Sequence, residues 1–585
     1  MLFLKDIAHY IGIYSKHGRW RLVLLVMITL LAGLVEMLGI TMLLPILNLS
    51  FDTQSNDPLS QLLQQVFTFL GLPLTLNVIL MTLVVIFLVK GLSVFFQKYY
   101  TAVISLTLRK NLQNDVAETV KHVNYATFST LNPGYITNLI IKETAGFSAS
   151  FSEFSRMMSG MVYIGFYLIA FTALKPEIIV ILIAATAGAY FILKRLVLQT
   201  KKISIETTAE YGKISNKTIE VLQNYVYLKS VSKLKAYMQD VTNYIASIQI
   251  KKRKLMFYAA IVNAIKEPVA VIALVGLIYY QVSINGEPLT EIIIIGLLLY
   301  RILNQVLLLQ GQWQRFNTCI GSLKAIEDTL ELFRANTDVS TSAKTMLDTI
   351  PMPIAFKDVS FSHGDTPVLN AISFDIQARK TIGLVGPSGS GKTTLFHLIT
   401  GLIAPNHGAI TFGKYPYTDL DKNSIRSNIG YVAQDPAIFE GTLYENLVLS
   451  EADISDEQIK KALKEASCSE FLDMLDKQVG DNGKNLSGGQ KQRLSIAREL
   501  LKDPEMLIFD EATSALDSVS DEEIRNTLKS IHGTRTIVII SHRLSSVEIC
   551  DTIHVMKDGH IVESGDFKTL KSDKSSFFAE LYSKQ

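Results

Sequence analysis

The chain has 585 residues, 48% of them hydrophobic and 19% charged, with a formal net charge of +2 and a mean hydropathy of +0.27. That length exceeds one domain, so roughly two to four are expected, and the composition is more apolar than that of an ordinary soluble enzyme. The near-neutral charge gives no ground for nucleic acid as a partner. Three distant cysteines (Cys319, Cys468 and Cys550) form neither a disulfide framework nor a metal-ligand spacing, which suits a reducing cytosolic side.

In chain order, Lys5, Lys16, His17, Arg19 and Arg21 precede a first apolar run with no small-residue cleavage site. This reads as an uncleaved anchor. Six stretches are long and apolar enough to cross a bilayer, at 22–47, 74–96, 158–174, 178–198, 258–280 and 292–309. Lys and Arg set their orientation. Residues 22–89 and 281–291 contain neither, whereas 97–153 and 200–255 are rich in both. The positive-inside rule therefore places both long connections and the N-terminus in the cytosol. Helical spacing in those connections predicts spans that continue as helices beyond the membrane.

Ionisable residues fall within or beside the spans: Glu36, Lys90, Lys266, Glu267 and Arg301. Such residues pair with one another, snorkel, or face a cavity. Glu36 and Arg301 are the candidates for contact with a transported substrate, with helix–helix pairing as the alternative. Pro268 is expected to kink the fifth span. Residues 333–353 read as a linker, and from 354 onward short strands alternate with helices, the pattern of one α/β domain.

Within that domain, 386–394 reads GPSGSGKTT between an apolar strand and a helix. Strand, glycine loop and helix in that order make a phosphate cradle. Backbone N–H groups of Gly386, Ser388, Gly389, Ser390 and Gly391 converge at a helix start, with Pro387 shaping the loop between them, a site for ATP phosphates. Lys392 reaches the β/γ-phosphates, Thr393 offers a hydroxyl to Mg²⁺, and Thr394 opens the helix. Downstream, EMLIFDE at 505–511 describes a buried strand ending in two acids. Asp510 is the candidate Mg²⁺ holder and Glu511 the candidate general base.

LSGGQ at 486–490 followed by KQR, just ahead of that strand, resembles the signature of ATP-binding cassette (ABC) transporters. Gln434 in YVAQDP matches the family's Q-loop, SALD at 514–517 its D-loop, and His542 in ISHR its switch histidine. The resemblance covers nearly the whole chain and is that of an exporter half-transporter. It implies an α-helical six-span transmembrane domain (1–332) fused through a linker to an α/β P-loop (RecA-like) ATP-binding cassette (354–585). It implies further that Ser487, Gly488, Gly489 and Gln490 cover ATP held by a second copy of the chain, making a homodimer. Gln434 would help hold Mg²⁺ and His542 would contact the γ-phosphate. Segments 125–134 and 220–230 resemble the family's intracellular coupling elements.

One departure is His363, in VSFSH, where the family stacks an aromatic residue on adenine. In the first and sixth spans, GLVEMLGITMLLP at 33–45 and YRIL at 300–303 resemble the branch of bacterial flippases for lipid-linked oligosaccharides. The expectation is an ATP-driven flippase for a lipid-linked glycan or glycolipid in the inner (plasma) membrane, with its cassette cytosolic. Export of a peptide or amphipathic drug is the alternative, and an ATP-gated channel or regulator a third reading.

Overall fold

The computed structural model describes residues 12, 14, 19–43, 45–46, 58–131, 133–174, 179–284, 289–338, 345–449, 454–512 and 518–584. For 179–197 and scattered positions elsewhere, the backbone alone is described. The 514–517 segment, Lys5, Lys16, His17 and the side chains of Lys266 and Glu267 lie outside the described set. The chain divides into two compact units, Met1–Val123 with Thr127–Thr337, and Asn124–Ala126 with Asp338–Gln585.

The first unit is helical. Its elements are α1 (Arg19–Thr41), α2 (Pro58–Phe69), α3 (Leu76–Lys121), α4 (Tyr125–Thr130, whose first two residues belong to the second unit), α5 (Pro133–Asn138), α6 (Thr144–Leu174), α7 (Ile179–Gln223), α8 (Tyr225–Ser230), α9 (Leu234–Tyr279) and α10 (Leu289–Ala335). Helix α3 runs 46 residues without a break, a rise of about 69 Å against a hydrocarbon core of about 30 Å. Apolar spans thus lead into long polar helical extensions. Among the described residues, three helices are long and apolar enough to cross a membrane: Trp20–Thr41, Leu76–Lys121 and Gly134–Leu174. The other three expected ranges overlap α7, α9 and α10, and α9 continues past Pro268. Helix α2 had no counterpart in the sequence reading. It buries Leu63 and Phe67, one turn apart, against Met42 and Ile79.

Two apolar clusters hold this unit together. One gathers Leu25, Ile104, Phe147, Phe151 and Phe316, and the other Ile40, Tyr167, Phe171, Ile295 and Leu299. A π-helical turn, Leu139–Glu143, joins α5 to α6.

The second unit carries two sheets. One is antiparallel, ordered β2-β1-β4-β5, from β1 (Ile354–His363), β2 (Thr366–Ile376), β4 (His407–Phe412) and β5 (Tyr415–Pro416). The other is ordered β10-β9-β3-β8-β7-β6, from β3 (Thr381–Val385), β6 (Ile429–Val432), β7 (Met506–Asp510), β8 (Thr536–Ser541), β9 (Thr552–Lys557) and β10 (His560–Gly565). Strands β9, β3, β8, β7 and β6 are parallel neighbours, and β10 closes the edge antiparallel. Strands β3 and β7 are buried at every residue, as continuous apolar runs in a sheet covered on both faces must be. The helices that bear on the site are α11 (Lys392–Ile399), α12 (Lys422–Ser427), α13 (Leu443–Val448), α14 (Asp456–Glu465), α15 (Gly488–Leu501) and α16 (Ser518–Ile531). Of the expected linker, Leu347 and Ile350 are buried in this unit's core, which also takes in Tyr125.

Candidate functional sites

Four adjacent parallel strands deliver the candidate nucleotide-site residues. Strand β3 ends in the glycine loop, β8 in His542, β7 in Asp510 and Glu511, and β6 leads to Gln434. All lie at the carboxyl ends of strands, where open α/β sheets bind ligands.

The loop's conformation requires its glycines. Gly391 has φ +101 and caps α11, and a Cβ there would stand 2.5 Å from Leu369. At Gly386, φ +155, it would stand 2.2 Å from the Met556 carbonyl oxygen. Lys392 Nζ donates to the Gly386 and Pro387 carbonyls, each at 2.9 Å, and burial lowers its pKa. The buried Ser390 hydroxyl has no hydrogen-bond partner among the described residues. Lys392 and Ser390 thus offer a buried cation and a spare donor to a polyanion.

Asp510 is 9% exposed, and burial raises its carboxyl pKa. Tyr431, on β6, donates to Asp510 Oδ2 at 3.3 Å and stacks on Phe396 of α11 at 4.1 Å. Tyr431 therefore ties the helix behind the phosphate loop to the acid. Its only sequence signal was an aromatic residue three positions before Gln434. Glu511 takes a left-handed backbone, φ +48, and its Oε2 lies 3.1 Å from His542 Nδ1.

Ser487 caps α15 in a reciprocal box with Gln490. Gln490 N donates to Ser487 Oγ at 3.2 Å and Ser487 N to Gln490 Oε1 at 3.0 Å. Gly489 packs so close to α16 that a Cβ would lie 2.1 Å from Ser520 Oγ. Ser487 and Gly488 are exposed, so this helix start faces outward and is not folded over the chain's own glycine loop. Further along α15, Gln492 Nε2 donates to the Ala433 carbonyl at 3.1 Å and Glu499 Oε2 accepts from Tyr431 N at 3.2 Å. Helix α15 thereby braces the strand that presents Gln434. His363 is exposed at the tip of the β1–β2 hairpin, edge-on to Phe361 at 4.9 Å.

In the helical unit, Glu36 is buried, with Lys90 Nζ at 2.6 Å, Arg301 NH1 at 3.8 Å and the Tyr167 hydroxyl donating at 3.0 Å. Pairing accounts for Glu36 and Lys90. Among the described residues Arg301, its side chain 45% exposed, makes one ion pair, and that a long one. Glu36 also lines a cavity of about 640 Å³ among α1, α3, α6 and α10, with Gln97, Ser159, Tyr163, Gln305 and Gln312. Arg301 is not among its lining residues.

Comparison with known proteins assigns both units. Residues 22–307 match the ABC transporter transmembrane region and 369–514 the ABC transporter domain. An ABC transporter ATP-binding protein of Sinorhizobium fredii is 30% identical over 520 residues, covering 86% of this chain and 87% of that one. The ATP-dependent lipid A-core flippase of Saccharophagus degradans is 28% identical over 525 residues, 86% of each. A bacterial Atm1-family ABC exporter solved with ATP bound shares the fold at a TM-score of 0.79 and 21% identity, over 97% of this chain and 98% of that chain. The chain belongs to the ABC transporter family, as an ATP-hydrolysing exporter with a helical transmembrane domain and an α/β ATPase domain in one polypeptide.

Proposed function

We propose that the chain is one half of a homodimeric, six-span flippase that moves a lipid-linked glycan or glycolipid from the inner to the outer leaflet of the plasma membrane. The cassette then lies in the cytosol, the side that the Lys- and Arg-rich connections favour. The observation that carries the substrate class is the Glu36 cluster, in which two cations share one buried carboxylate. An excess positive charge among apolar spans is costly, and an anionic lipid headgroup relieves it. The lipid A-core flippase of Saccharophagus degradans is a relative over most of this chain's length.

In the cassette, the glycine loop's N–H groups and Lys392 bind and orient the ATP phosphates. Glu511 accepts the proton of the attacking water, and His542, 3.1 Å from Glu511, orients toward the γ-phosphate. Mg²⁺, when bound, neutralises phosphate charge. The buried Asp510 carboxylate, the Thr393 hydroxyl and Gln434 are the donors that fit it. His363, exposed at the β1–β2 hairpin, would be the ring to meet the adenine face. The outward helix start at Ser487, with Gly488, Gly489 and Gln490, is suited to cover ATP on the second copy. Exposed apolar side chains on α8, with Val226 81% and Tyr227 66% exposed, give that copy a further surface to bury.

The test is ATPase activity in lipid nanodiscs, wild type beside Glu511→Gln, with glycolipids, peptides and hydrophobic drugs titrated in turn. Glycolipid alone stimulates the wild type, and Glu511→Gln lowers turnover at least ~100-fold, the usual weight of a general base. Stimulation by drugs or peptides instead overturns the substrate class and leaves the exporter.

A further inference from the structure

Resting on the roles given above to Glu511 and His542, we propose that Ser541 and Ser546 are positioning residues for ATP hydrolysis, two hydroxyls that clasp the backbone carrying His542. The need for a clasp follows from the ring's surroundings. The His542 side chain is 46% exposed, so packing alone does little to fix its rotamer. An orienting group misplaced by about 1 Å can cost about 100-fold in rate. The direction of the ring must therefore come largely from the chain on either side of it.

Strand β8 ends at Ser541, one residue before His542. Ahead of the histidine, Glu511 N donates to the Ile540 carbonyl at 2.8 Å. That bond carries the β7–β8 pairing one step beyond Asp510 and holds Glu511 in its left-handed backbone, φ +48. Such a conformation persists only where its surroundings enforce it. After the histidine, both backbone polar groups of Arg543 are held. Arg543 N donates to Ser541 Oγ at 2.9 Å, and Ser546 Oγ donates to the Arg543 carbonyl at 2.6 Å. Ser541 Oγ lies 3.0 Å from the same carbonyl and 2.8 Å from Ser546 Oγ, so the clasp is closed. Ser541 and Ser546 are both buried. Ser546 sits in a single 3₁₀ turn, Leu544–Val547, whose two end residues belong to the domain's apolar core. The clasp thus ties the His542 backbone to a rigid interior, and the Glu511–His542 distance of 3.1 Å is set from both sides.

The experiment measures ATPase kinetics and thermal midpoints of the full-length protein in lipid nanodiscs. The variants are Ser546→Ala, Ser541→Ala, His542→Ala and each serine change combined with His542→Ala, with γ-labelled ATP to follow residual turnover. Each serine variant lowers kcat about tenfold and changes KM for ATP less than about twofold, the pattern of a contact that matters only in the transition state. Added to His542→Ala, a serine change lowers the residual turnover by less than about twofold, because residues acting through one another are not additive. A serine buried only to cap its turn would instead cost the same with or without the histidine. If one serine variant has a lowered thermal midpoint, the other carries the comparison, since the two hold opposite ends of Arg543. Wild-type kcat in both serine variants, a rise in KM that accounts for the loss, or the full tenfold loss repeated in the His542→Ala background overturns the clasp. In each of those cases, low turnover by His542→Ala leaves the role of His542 standing. Wild-type turnover by His542→Ala removes that role and the clasp together.

Discussion

Tyr431 occupies the junction of three functional elements. Its ring stacks on α11 at 4.1 Å, its hydroxyl donates to Asp510 at 3.3 Å, and its backbone N–H is held by Glu499 of α15. The hydroxyl favours the charged form of an acid that burial pushes the other way. Tyr431→Phe keeps the stack and loses the hydrogen bond. We expect the Mg²⁺ concentration for half-maximal ATPase activity to rise about 3- to 10-fold, the equivalent of one such bond, with a smaller change in kcat. The acid limb of the pH–rate profile moves to higher pH as well. A variant with reduced kcat and an unmoved Mg²⁺ midpoint would show that Tyr431 is only part of the core. The residue was quotable from the sequence and its role was not, because the contact to Asp510 joins positions 79 apart. The glycine loop, Asp510, Glu511 and His542 were legible for the opposite reason. Each is announced by its own strand ending beside it.

At the scale of elements, strand β9 buries His554, whose Nδ1 meets Ser564 Oγ at 2.7 Å beside the Phe374 ring at 5.0 Å. Burial pushes its pKa down from 6.5 to about 4. Unfolded, the histidine binds a proton below its ordinary pKa, and folded it stays neutral until about pH 4. Stability therefore falls as pH drops through that window, by a limit on the order of 3 kcal/mol. Thermal midpoints of the full-length protein between pH 7 and about pH 4.5 should fall less steeply for His554→Gln than for wild type. Equal slopes would remove the burial argument. Elements with strong periodicity or long apolar runs were legible: β3, β7 and the helical extensions of the spans. Helix α2 was not, since its 12 residues lie between the first two expected spans and are too short to cross a bilayer. The pairing of Glu36 with Lys90 was also open, because a 54-residue separation along the chain says nothing about which helix faces meet.

For the whole molecule, one chain presents a complete phosphate loop and an outward-facing signature helix start, so completion by a second copy is the simplest arrangement. Mixing Lys392→Ala and Ser487→Arg chains tests it. Half of the mixed dimers hold one chain of each kind, with one intact composite site. Turnover should recover to about a quarter of wild type at most, well above either variant alone. No recovery would contradict a site built across two copies. In the proposed function, ATP hydrolysis moves an anionic glycolipid across the bilayer. The direct measurement uses proteoliposomes with cassettes outward, labelled farnesyl phosphoryl-glucose in the outer leaflet, and ATP added outside. ATP-dependent loss of the label from the accessible leaflet is expected with wild type and none with Glu511→Gln. Equal redistribution in the two proteins, or none in a wild type that hydrolyses ATP, would contradict it.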